Sequence, residues 1–302
     1  MALLGAAAAL GSSCTWAYAS TRYAKASRDV GSQRVNLARA SVVLPIYLVF
    51  TLALHGRNLF SGVSAAQSGW LLASVICSYA LADSLFFTAA RRLGITTALS
   101  IASAYPLWAA LVGVAFGGER FGPLRAAGTL LCVGGVIALV RLAPDAKSGG
   151  VARARIDRAG LALAFVTSIL WAGNSISIKE GAVGLEVMQV NAIRYAFALA
   201  LLAAQVALLK RKRSPERFRP WPPGGWRPLV PAILADALFG SIFYVYGLSH
   251  TDLAVGATLS SLAPLLVVPV AIAMGEERWS PARFGAVLAT VLGIALLVVT
   301  VG

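Results

Sequence analysis

The sequence predicts an all-α polytopic membrane protein, with ten transmembrane helices arranged as two inverted five-helix repeats. Three observations lead there: charge too sparse for a soluble chain, ten apolar runs of membrane-crossing length, and an internal duplication. Of 302 residues, 58% are hydrophobic and 13% charged, where soluble domains carry about 25% charged residues. Mean hydropathy is +0.77. These figures exclude a soluble enzyme, a disulfide scaffold and a disordered chain. The net charge of +14 comes from 26 Lys and Arg against 12 Asp and Glu. The basic residues fall between apolar runs, so anionic headgroups explain them and nucleic acid is not an expected partner.

A helix needs about 20 apolar residues to cross the hydrocarbon core. Such runs cover 2–21, 35–54, 69–90, 96–117 and 123–140, then 159–178, 187–209, 228–248, 254–274 and 281–301. Ala17-Tyr18-Ala19 has the small-residue pattern of a signal-peptidase site. No Lys or Arg precedes that run, however, and it matches a later helix, so it is read as the first span. Cys14, Cys77 and Cys132 all sit in apolar runs, where a lone thiol behaves as a small hydrophobe. Residues 1–141 and 159–302 are expected as the two repeats, joined by a basic connector at 142–158.

The duplication is legible residue by residue. Trp16-Ala17 recurs 155 residues on as Trp171-Ala172, and Asn36-Leu37-Ala38-Arg39 as Asn191-Ala192-Ile193-Arg194. Asp83, within Leu81–Phe86, answers to Asp236, and Ser103-Ala104-Tyr105-Pro106 to Ser261-Leu262-Ala263-Pro264. Glu119-Arg120 answers to Glu277-Arg278. Five helices is an odd number, so the second half enters the membrane from the opposite side. Inverted halves are the common plan of secondary transporters, which hold substrate near the midplane between them. Counting spans alternately, the odd loops carry 20 Lys and Arg and the even loops 4, Arg39 and Arg194 completing the total. The positive-inside rule then makes the odd loops cytoplasmic and both termini external.

In their order and duplication these motifs are similar to those of the EamA-like transporters of the drug/metabolite transporter superfamily. That family has in each repeat a Trp in the first helix, an Arg near the start of the second, a Pro in the fourth and a Gly-Glu-Arg-like corner before the fifth. Here these are Trp16 and Trp171, Arg39 and Arg194, Pro106 and Pro264, Gly118-Glu119-Arg120 and Glu276-Glu277-Arg278. The resemblance covers nearly the whole chain. It implies export, or less often import, of small metabolites (amino-acid-like, nucleobase-like or drug-like) across the cytoplasmic membrane. There are two departures. Small four-helix relatives couple export to protons through a Glu in their first helix, whereas Cys14 and Ile169 stand in that neighbourhood here. Many members are also drawn with cytoplasmic termini.

Candidate substrate-binding or coupling residues follow from burial cost. Asp83 and Asp236 are the two carboxylates well inside apolar runs. An ionisable group at membrane depth costs about 2.5–3.5 kcal/mol or more and faces a cavity or a partner. They could hold a cationic group, titrate, or merely stabilise packing. Arg39 and Arg194 could greet a carboxylate, pair with Asp83 and Asp236, or snorkel. Trp16 and Trp171 suit either an aromatic belt or stacking against substrate rings. Asn174, Tyr105, Tyr244 and Tyr246 could offer hydrogen bonds in an apolar cavity. Pro106 and Pro264, read as lying within the fourth helices, would each free a carbonyl and form a hinge. Glu119 and Glu277 are expected to cap or pair locally, and Gly113–Gly117 spacing permits close helix approach without requiring a dimer. No Walker loop, zinc-binding His pair or nucleophile elbow occurs, and His55 and His250 form no constellation, so no enzyme activity, ATP use, metal or cofactor is expected. The alternatives to metabolite transport are a flippase for a lipid-linked intermediate and a non-transporting scaffold or receptor.

Overall fold

The computed structural model describes residues 1–56, 59–93, 95–116, 122–141, 157–211, 221, 225–263, 265–266 and 281–299. Every regular element among them is helical. The first half contains α1 (Ala2–Val30), α2 (Ser32–His55), α3 (Ala65–Leu93), α4 (Ile95–Ala102), α5 (Tyr105–Ala115) and α6 (Pro123–Arg141). The second contains α7 (Arg158–Gly181), α8 (Val187–Arg211), α9 (Arg227–His250), α10 (Leu253–Ser260) and α11 (Pro281–Val299). Five described helices, α2, α3, α7, α8 and the segment containing α9, are long and apolar enough to cross a membrane. Shorter apolar helices cover Tyr105–Ala115, Pro123–Ala138 and Phe284–Leu297.

Two boundaries differ from the sequence reading. The first helix runs to Val30, nine residues beyond the apolar run, so its basic residues Arg22, Lys25 and Arg28 are helical. Only Gly31, at φ 86°, separates it from α2. A turn this tight needs a backbone conformation that side chains with a Cβ rarely adopt. The fourth span of the first half is not one helix. It breaks at Ser103-Ala104 into α4 and α5, and Pro106 stands in the first turn of α5. There the missing N–H has no intrahelical acceptor to lose, and the fixed φ suits helix initiation. Pro106 therefore starts a segment instead of kinking a continuous helix. Pro264 lies outside the described residues, as do both Glu-Arg corners.

Helix pairing follows a reciprocal pattern. The N-terminal part of α1 meets the end of α9, where a Cβ on Gly5 would stand 2.9 Å from the Cβ of His250. Its C-terminal part meets the start of α9, where the Tyr23 hydroxyl donates to the Ala232 carbonyl at 3.0 Å. Correspondingly, Gly160 at the start of α7 abuts Leu93 at the end of α3, and Gly181 at the end of α7 abuts Leu71 near the start of α3. The first helix of each half thus runs antiparallel to the third helix of the other. First and third helices of one half share a direction, so this arrangement requires the halves to be inverted with respect to each other. α2 packs on α8, α5 on α10 and α6 on α11. The last pair is antiparallel and close: a Cβ on Gly293 would stand 2.7 Å from the Gly128 carbonyl oxygen, and one on Gly135 would meet Thr290. Small residues let backbones approach where lipid offers no hydrophobic drive.

Connector contacts separate by parity. Arg92, at the end of α3, pairs with Asp157 before α7 at 3.0 Å. On the other side Gln67 donates to the Val183 carbonyl at 2.6 Å, Lys179 to the Thr251 carbonyl at 3.0 Å, and Arg125 pairs with Asp252. Among the described residues these contacts join the end of α3 to the start of α7 on one side and link the segments around 67, 125, 180 and 252 on the other.

Candidate functional site

The second helices carry the repeated Asn-x-x-Arg, and spacing of three puts both side chains on one face. In α2, Asn36 Nδ2 donates to the Tyr79 carbonyl at 3.0 Å while its Oδ1 accepts from Arg39 Nη1 at 2.9 Å. In α8, Asn191 Nδ2 points to the Ser241 carbonyl at 3.4 Å and its Oδ1 lies 3.5 Å from Arg194 Nη1. The carbonyls they address belong to, or directly follow, π-helical turns, Ile76–Ala82 in α3 and Ile233–Gly240 in α9. Wider turns of this kind displace carbonyls from regular helical bonding, and in an apolar slab a neighbouring side chain must satisfy them. Tyr47 and Tyr195 do so as well, donating to the Ala237 carbonyl at 3.0 and 2.9 Å. Asp236 lies within one π turn and Asp83 directly follows the other.

Arg39 is the hub. Its Nη1 reaches Asp83 Oδ2 at 2.9 Å and its Nη2 reaches Asp236 Oδ2 at 2.9 Å. All three side chains are buried. Its guanidinium lies 4.5 Å from the Tyr23 ring centre, 5.1 Å from that of Tyr79 and 6.0 Å from that of Trp16, so aromatic faces supply what water would. One cation with two carboxylates is formally one negative charge in excess when both acids are ionised, and Asp236 belongs to the opposite half. The cluster can therefore tie the halves together and can accept a proton.

Arg194, its repeat equivalent, is 2% exposed and has no carboxylate partner among the described residues. Its Nε donates to Ser74 Oγ at 3.0 Å and its Nη2 to Asn174 Oδ1 at 3.2 Å. Asn174 in turn donates to Tyr244 Oη at 3.3 Å, and that oxygen lies 2.7 Å from Ser175 Oγ.

These groups surround a cavity of about 140 Å³ between the halves. Asp83, Asp236, Arg39, Arg194 and Asn174 line it, together with Trp16, Trp171, Tyr105 and Tyr244. The two repeat-equivalent tryptophans meet edge to face at 6.1 Å, and Tyr105 meets Trp171 in the same way at 6.1 Å. Tyr246 is not on the cavity wall; its ring stacks 4.0 Å from that of His250. Sequence reasoning missed Tyr23, Tyr79 and Ser74, which hold the arginines, and the asparagines of the Asn-x-x-Arg motif. For the asparagines the signal was there, in their recurrence three residues before each arginine.

A family model described as the EamA-like transporter family matches residues 3–141 and again 158–299. A solved structure described only as the crystal structure of a protein covers 98% of this chain and 94% of its own, with a TM-score of 0.71 at 22% identity. That likeness shows the fold alone. No curated protein matches significantly. Family members are transporters rather than enzymes, and the apolar helices make this a multi-pass membrane protein. With two matched repeats accounting for nearly all of its length, the chain belongs to the EamA-like transporter family.

Proposed function

We propose that the protein is a secondary transporter that moves small organic metabolites, amino-acid-like, nucleobase-like or drug-like, across the cytoplasmic membrane by alternating access, as an exporter. The observation that carries this is the unequal fate of two equivalent arginines: Arg39 holds both buried acids while Arg194 holds neither. Inverted halves can exchange conformations, and a molecule caught in one of two such states has its equivalent residues in different surroundings. On this reading, exchange hands the acids from one arginine toward the other and opens the cavity to the opposite face. The break at Ser103-Ala104 is the pivot of the first half. Residues 1–141 and 159–302 act as the moving repeats, and a monomer in the bilayer suffices. The odd connectors face the cytoplasm and both termini lie outside.

The test is a metabolite profile of the culture medium from cells producing the wild type, the Asp83→Asn/Asp236→Asn variant at matched membrane levels, or neither. Compounds enriched only by the wild type support export through the acidic cluster. Equal enrichment by both proteins keeps export and removes the acids from it. A medium indistinguishable from that of empty cells overturns export.

A further inference from the structure

We propose that Arg194 binds the carboxylate of a small organic monoanion, a substrate class that rests on the transport reading above. A guanidinium buried at membrane depth is stable only when paired or richly hydrogen-bonded. Arg194 is buried to the same degree as Arg39, which has two carboxylates, yet its partners are neutral: Ser74, Asn191 and Asn174. Of its five N–H donors, Ser74 takes the one on Nε, while Asn191 and Asn174 each take one from a terminal nitrogen. One hydrogen remains on each terminal nitrogen, so the guanidinium fork still has two donors to offer the oxygens of a carboxylate.

Arg194 lines the cavity, so a ligand can reach it. Trp171, Tyr105 and Tyr244 line the same space and offer ring faces and edges to the ligand body. Charge decides between carboxylate and phosphate. The Arg194 guanidinium lies 5.8 Å from the centre of the Tyr79 ring, and Arg39 lies 5.1 Å from the same centre. The anionic Asp83–Arg39–Asp236 cluster is therefore a near neighbour. With both acids ionised the four charges on the cavity wall sum to zero, so a monoanion brings one uncompensated negative charge and a phosphate dianion two, and the neighbouring acids repel the dianion more strongly.

The experiment uses the purified full chain in lipid nanodiscs and reads tryptophan fluorescence, since Trp16 and Trp171 face the cavity. Benzoate, benzamide and phenyl phosphate are titrated to millimolar concentrations, with acetate and indole-3-carboxylate as smaller and larger carboxylates. Saturable benzoate binding is expected, with benzamide weaker by about tenfold or more and phenyl phosphate weaker than benzoate. Arg194→Gln should abolish the preference for benzoate over benzamide, and Arg194→Lys should keep part of it. If Arg194→Gln does not fold, Asn174→Leu, which removes an acceptor orienting the fork, should weaken benzoate and spare benzamide. Equal binding of benzoate and benzamide in the wild type overturns the proposal. So does a preference that survives Arg194→Gln, tighter binding of phenyl phosphate, or no saturable response to any of the three carboxylates. Flux of labelled benzoate into proteoliposomes separates this proposal from the transport reading. Binding without flux of any compound sinks transport and leaves the site; metabolite flux indifferent to a carboxylate sinks the site and leaves transport.

Discussion

At Arg39 two buried carboxylates converge on one guanidinium, so the residues on either side of the contact are not interchangeable in a mutation series. Arg39→Ala leaves Asp83 and Asp236 facing each other without a cation and should cost about 3–5 kcal/mol, read as a lowered unfolding midpoint in detergent. Asp236→Asn keeps an oxygen for Arg39 and should cost clearly less; equal losses would show that the cation is not what holds the acids. The same excess of carboxylate over guanidinium predicts that Asp83→Asn or Asp236→Asn flattens the pH dependence of transport in proteoliposomes, and an unchanged profile in both variants removes these acids from coupling. Outside the membrane, Asp157 caps α7 through the Gly160 N–H and pairs with Arg92, and these contacts hold its carboxyl below the usual carboxylate range. A carboxyl with a depressed folded pKa stabilises the fold above its unfolded value, and the contribution disappears as pH falls through the folded one. Asp157→Ala should therefore lower the unfolding midpoint at neutral pH and converge with the wild type in acid.

At the scale of the element, of the two prolines expected inside helices, Pro106 is described and Pro264 lies outside the described residues. Pro106 occupies the first turn of α5, where no N–H is needed, so Pro106→Ala should change stability by less than about 1 kcal/mol. A loss of several kcal/mol in thermal or denaturant unfolding would put the proline back at the centre of a strained kink. Pro45 does lie inside α2, and the repeat comparison had no reason to notice it. The π turns of α3 and α9 were equally silent, because a local widening of a helix leaves no trace in hydropathy. They arise where Asn36, Tyr47 and Tyr195 stand ready to bond displaced carbonyls, which is a property of neighbouring helices and not of the segment itself.

At the scale of the whole molecule, reciprocal pairing of helices makes the two halves a single wall around the cavity. The α6–α11 seam relies on glycine where the chains come closest. Gly135→Leu would drive a side chain into Thr290 and the Ala286 carbonyl, and overpacking of this kind costs about 1–3 kcal/mol. The expected outcome is a lower unfolding midpoint with the distant Arg39 cluster intact; an unaffected midpoint would mean that the seam can open without consequence.

Taken alone, the sequence determined the membrane class, the helical repeats and the family. Those properties rest on composition and on order along the chain, and duplicated positions such as Trp16 and Trp171 record them directly. Nine of the ten polar and aromatic candidates for substrate binding or coupling are brought to one cavity, Tyr246 being the exception, and for the charged ones burial cost in lipid leaves few other places to go. Only the tertiary structure decided how they are partnered. Arg39 and Arg194 are equivalent in sequence and unequal in space: Arg39 meets Asp83 and Asp236, while Arg194 meets Ser74 and Asn174. The choice of which arginine takes both acids belongs to the packed helices and not to either half on its own.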